Sequence, residues 1–202
     1  MSILKIESAR RQLGTALALY LKNEDPVSVH CLAGGGCEVI EFYVQKAGAQ
    51  PFSSHMLNAI PDLDIREVRR LQRQFWNAFK HATVQNGPER EDDELLLKFT
   101  DVQNDHALFI GWYDYALAAK ALPIEAQAHH VWYIALYPEK LDPKHSIERY
   151  EQIFPDLRAK SRDVQKQMLR DAIKKVSSDP SFMNDPQTDK RPLIIGWEPT
   201  QF

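Results

Sequence analysis

Between Leu21 and Val27 the chain reads Lys22, Asn23, Glu24, Asp25 and Pro26, a helix stop and a helix start with almost nothing between them. Asp25 suits an N-cap, because its carboxylate accepts from the free N–H groups of a first helical turn. Pro26 suits the first helical position, where its missing N–H costs nothing. Apolar residues on both sides recur at helical spacing. Leu13, Leu17, Tyr20 and Leu21 form a stripe in a first helix expected from Ile3 to Leu21. The second is expected from Pro26 to about Lys46, with Gly48 as its C-terminal cap. So short a connection forces the two helices to run antiparallel, side by side. Alternating strand patterns are almost absent elsewhere. The expected class is therefore all-α, an antiparallel helical bundle of about five to seven helices.

The rest of the chain fits that reading. A short helix is expected from Ser53 or Ser54 to Ala59. A third long helix should open after Asp64, another N-cap residue, and reach about Thr83. The polar stretch from Gln85 to Asp93 reads as a loop. Helical pattern resumes near Asp93 and runs towards Leu122, with Thr100 and Asp101, or Asn104 and Asp105, as places to break. Pro123 should start a helix from Ile124 to Tyr137, which Pro138 closes. Beyond Pro138 the composition changes, with a short helix introduced by Ser146 and a strongly charged one from Asp156 to Val176. The tail from Ser177 holds Leu193, Ile194, Ile195 and Trp197, an apolar group suited to docking. The expected organisation is a helical bundle over residues 1–140, with 141–202 as a C-terminal helical arm and tail packed on it.

The chain's 202 residues are enough for a substantial core, and 44% hydrophobic with 26% charged residues is the make-up of a globular protein. The formal net charge of -3 disfavours bulk binding of nucleic acid, though a local basic patch stays open. Cys31 and Cys37 fall six residues apart on one helix, on different faces and too distant to bridge. They read as free thiols of a cytoplasmic protein. The N-terminal segment does not resemble a secretory signal, and no apolar run suits a membrane span.

One helix carries a polar cluster. Arg73, Asn77 and His81 should climb one broad side of the third long helix, while Phe75 and Phe79 climb another. Lys80 and Arg70 add positive charge. In a cleft, His81 is suited to general acid–base work near neutral pH, and Arg73 or Lys80 to holding a phosphate. The plainer reading is a solvated helix face, with His81 near a C-terminus that favours positive charge.

The helix ending Asn77, Ala78, Phe79, Lys80, His81 resembles the HEPN superfamily of small bacterial helical proteins. Many of its members are RNases of toxin–antitoxin and defence systems, and others are inactive binding modules. The resemblance implies a catalytic set of Arg73, Asn77 and His81, with Lys80 and Arg70 in binding. Arg73 and His81 are separated more widely than the family's signature pair. The segments from Ala9 to Leu13 and from Asp25 to Ala33 are similar to a second group, uncharacterised bacterial all-helical proteins, which implies no particular chemistry.

Gly34, Gly35 and Gly36 fall inside the second helix, where each costs about 1 kcal/mol relative to alanine. Either another helix packs very close, the better reading, or the helix breaks and offers backbone N–H groups to a ligand. A phosphate-binding loop fits poorly, for no lysine follows at the required spacing. His30, His129 and His130, with Glu38 and Glu41, invite a metal site. However, adjacent histidines on one helix point about 100° apart, and the paired motif of bundle di-metal sites is missing. No metal or cofactor is expected. The aromatic run from Trp112 to Tyr115 reads as core with wet tyrosine hydroxyls. Two functions from different classes follow. One is a helical module acting by protein–protein association, with a partner or as a homodimer. The other is a HEPN-like RNase or nucleotide-binding domain.

Overall fold

The computed structural model describes residues 3–60, 62–84, 87–140 and 146–196. The described residues are overwhelmingly helical, so the class is all-α, with one two-stranded pair. The chain divides into two compact units, residues 1–120 with 194–202, and residues 121–193. The division falls after Lys120 rather than after residue 140. Lys120 adopts a left-handed backbone with φ of 64°, which ends one helix, and Pro123 starts the next within the second unit.

In the first unit, α1 spans Ile3–Leu21 and α2 Pro26–Lys46. Asp25 caps α2 by accepting from the N–H groups of Val27 and Ser28, and Gly48 follows it with φ of 77°. Despite three glycines α2 is unbroken, because the missing side chains make room for neighbours. A Cβ on Gly34 would lie 2.5 Å from Trp76 Cγ, one on Gly35 2.3 Å from Gln12 Oε1, and one on Gly36 2.7 Å from Leu13 Cγ. Gly111 serves the same Leu13 from the other side, with 2.4 Å left to Cδ2. Trp76 of one neighbouring helix and Gln12 and Leu13 of α1 thus approach α2 from different sides at successive glycines, and the cost in helix propensity is offset by close packing. Leu13, Leu17, Val29, Ile40, Leu108 and Trp112 are fully buried there.

Next come α3 (Phe52–Ala59), α4 (Ile65–Lys80), α5 (Asp93–Leu96) and α6 (Val102–Ala119). Asp64 caps α4, accepting from Glu67 N–H. The long pattern from Asp93 to Leu122 does break at Thr100, whose N–H and hydroxyl both donate to Gln103. By contrast α4 stops at Lys80, not Thr83. The chain turns back on itself, with Thr83 bridged to Glu89, Val84 N–H donating to Pro88 and Arg90 N–H to Ala82.

In the second unit, β1 (Leu122–Pro123) leads into α7 (Ile124–Leu136), followed by α8 (Glu148–Ile153), α9 (Arg162–Ser177), α10 (Pro180–Met183) and β2 (Thr188–Asp189). The expected helix from Asp156 is interrupted. Asp156 takes φ of 55°, a short 3-10 turn covers Leu157–Ala159, and α9 begins only after Ser161. Trp132 of α7 donates from Nε1 to the Gln165 carbonyl of α9 at 2.9 Å. The strands pair in parallel, Leu122 beside Thr188, and Gln127 stitches them by donating to the Leu122 carbonyl and the Thr188 hydroxyl. The tail is anchored at Leu193, which is buried, and at Ile195, whose carbonyl accepts from Arg11 of α1 at 2.7 Å. Ile194 is exposed, and Trp197 lies outside the described residues. No helix among the described residues is long and apolar enough to cross a membrane.

Candidate functional site

The structure separates the five residues of the polar cluster. Only Arg73 turns inward, donating from Nη2 to Glu41 Oε2 of α2 at 2.7 Å and lying 3.5 Å from Glu38 Oε1. Arg70 points out and forms a two-pronged pair with Glu67 on its own helix. Lys80 sits over the Trp76 ring at 4.0 Å. Asn77 is half-buried, and its carbonyl accepts from His81 N–H at 3.0 Å. His81 itself is exposed on extended backbone, φ -121° and ψ 119°, already off the helix. Eight positions separate it from Arg73, about 12 Å along a helix axis. Arg73 is held by Glu41 and Glu38 of α2, whereas His81 is exposed beyond the end of α4.

What Arg73 meets is a cavity of about 30 Å³ enclosed by α2, α3, α4 and α6. Its polar lining is Glu41, Ser53, Gln72, Arg73, Asp114 and His30. That volume holds one or two waters and excludes any organic substrate. Glu41 is the node. Besides Arg73 it accepts from the Ser53 hydroxyl at 2.8 Å and from Arg69 Nε at 3.1 Å. One carboxylate therefore ties three helices.

Asp114 performs a related task from α6. The N-cap position of α3 is Pro51, which offers no side-chain cap, so Asp114 accepts from Phe52 N–H at 2.7 Å in its place. Burial pushes the Asp114 carboxyl up to about 7, and the Glu41 charge adds to the push, while the Phe52 hydrogen bond opposes it. Beside it, burial also raises the Cys37 thiol, which donates to the Ala107 carbonyl. Both cysteines are free.

His30 is held neutral by burial, against the pull of its Asn104 hydrogen bond. Asn104 Nδ2 donates to the Pro26 carbonyl, which fixes the amide, so its Oδ1 must accept from His30 Nδ1 at 2.9 Å. Nε2 is therefore the unprotonated nitrogen. The ring is packed edge-on by Phe75, Phe79 and Phe99. His129, in the second unit, is fully buried and also pushed well below its usual range, first by burial and then by neighbouring positive charge. Among the described residues no three His, Cys, Asp or Glu side chains are grouped to hold a metal ion.

Sequence reasoning placed Glu41 only among candidate metal ligands and gave Ser53 and Asp114 no functional part, so none of the three was read as belonging to this node. Two of them left a trace. Glu41 interrupts the apolar run Val39–Val44, and Asp114 sits between Tyr113 and Tyr115, so each is an acid on a side of its helix that otherwise reads as core. The cavity brings together two carboxylates, Glu41 and Asp114, with Arg73 beside them at its partly exposed margin. No protein-family model matches the chain, and no curated protein or solved structure matches it significantly.

Proposed function

We propose that the chain is a helical binding module that acts by associating with a protein surface, and that the cluster from Arg70 to His81 is not a centre of turnover. The observation that carries this reading is the position of Arg73. Its guanidinium is committed to Glu41, and the space beside it admits water only. A transition-state clamp needs an open site that a charged group can enter. The exposed apolar side chains of the first unit support association, Leu97 above all at 86% exposure.

Incubating a structured and an unstructured RNA with the wild-type chain and with His81→Ala tests the reading. Equal, background-level cleavage in both is the expected result. Cleavage by the wild type that disappears in His81→Ala overturns it, in favour of a HEPN-like RNase using Arg73, Asn77 and His81.

A further inference from the structure

One end of the first unit carries apolar side chains that stay exposed among the described residues. Asn104 Nδ2 donates to the Pro26 carbonyl, which sets the start of α6 beside the start of α2. Phe99 packs against His30 at 5.2 Å and against Phe79 at 4.9 Å, which seats the turn between α5 and α6 at the same end. The side chains left outside are Leu97, Val102 at 38% and Val27 at 36% exposure. Acids rim them. Glu24, Glu91, Asp93 and Glu94 are exposed, and none has an ion pair among the described residues. From Glu91 to Thr100 there are four acids against the single cation Lys98.

The complementary surface lies on α4. Of its cations, Arg69 and Arg73 are turned in to Glu41. Arg66 is exposed and has no ion pair among the described residues, and Arg70, one turn on, is shared only with Glu67. Leu71 stands beside Arg70 at 38% exposure. This basic and apolar edge cannot serve the acidic end of its own copy. Phe99 contacts Phe75 and Phe79, so the acidic end adjoins the last turns of α4, whereas Arg66 is fourteen residues before Lys80, about 20 Å away along the axis.

We propose that a second copy of this chain covers the acid-rimmed apolar end, laying the Arg66–Arg70–Leu71 edge of its α4 over Val27, Leu97 and Val102. A two-fold axis makes the contact twice, since each copy carries both surfaces. Leucine and valine supply the apolar centre, and the arginines meet Asp93 and Glu94 at the rim, where charge sets register and partner choice. The inference rests on the association reading above and names the partner.

Sedimentation equilibrium of the full chain, in low and high salt, is the measurement. Wild type is expected to be a dimer at micromolar concentration, weakened about tenfold by high salt. Leu97→Lys should weaken it by a further factor of roughly ten or more. The decisive arm uses two variants, Arg66→Glu with Arg70→Glu in one chain, and Asp93→Lys with Glu94→Lys in another. Each alone should be monomeric. Mixed, they should form a one-to-one heterodimer, because both contacts regain opposite charge. All substituted side chains are exposed, and unchanged circular dichroism melts verify folding. A wild type that stays monomeric up to roughly 100 μM, or variants that remain dimeric alone, overturns the proposal. That outcome leaves the association reading standing with a different partner, whereas RNA cleavage lost in His81→Ala removes that reading itself.

Discussion

The two units are both helical, yet they cohere by different means. In the first, long helices meet where side chains are missing, at Gly34, Gly35, Gly36 and Gly111, and charged groups are gathered on one carboxylate, Glu41. In the second, short elements surround Trp132, Tyr133, Phe154, Leu157 and Leu169, all buried. Glutamine amides join its pieces. Gln165 donates to the Leu157 and Lys160 carbonyls, and Gln127 to Leu122 and Thr188. Long helices satisfy their own backbone, so their packing is limited by how near two cylinders approach. Short elements leave more carbonyls unpaired at their ends, and side-chain donors must reach them.

The largest effect that separates the two belongs to Trp132. Trp132→Ala removes a fully buried ring and the donor to Gln165, and should cost about 4 kcal/mol. Hydrogen exchange should show α7 and α9 losing protection while α1, α2 and α6 keep theirs. Loss spread equally over both units would mean that they unfold as one.

Glu41→Ala asks the same question of the first unit. It leaves Arg73, only 28% exposed at its side chain, without its main partner, and should destabilise by about 3 kcal/mol in chemical denaturation. A loss near zero would reduce the ion-pair node to a surface contact.

Asp114→Asn runs the other way, and only at high pH. The carboxyl titrates near 7 when folded against 3.8 when free, so between those values the folded chain holds the extra proton. Stability therefore falls as pH rises from about 4 to 7, and stays low above that. Asparagine keeps an acceptor for Phe52 N–H without the charge. The variant should gain up to about 4 kcal/mol at pH 8 and nothing at pH 4, read from denaturation at both. A variant less stable than wild type at pH 8 would mean that the carboxylate cap on α3 outweighs its burial.

Much of the fold was legible because its signals are local. Asp25 with Pro26, Gly48 and Asp64 mark helix ends through their own chemistry, and α2 and α4 begin where the two aspartates put them. The glycine triplet also announced a close approach, although the partners, Trp76, Gln12 and Leu13, could not be named from spacing. The polar cluster shows the limit of the same kind of signal. Helical spacing describes which residues share a side, and Arg73 is governed instead by Glu41, 32 positions earlier. His81 leaves the ridge because the chain beyond it pairs Thr83 with Glu89, an event with no periodic signature. The break before α9 likewise turns on the left-handed backbone of Asp156, which a non-glycine residue does not advertise.

The parallel pairing of Leu122 with Thr188 gives the second unit a property of its own. Its entry and exit strands lie side by side, about 5 Å apart, so residues 121–193 form a cassette closed at its neck. The polypeptide leaves at Lys120 and resumes at Ile194, where Arg11 clasps the next carbonyls. Replacing the loops and helices between Pro123 and Thr188 with another fold whose ends lie equally close would therefore preserve this parallel pairing.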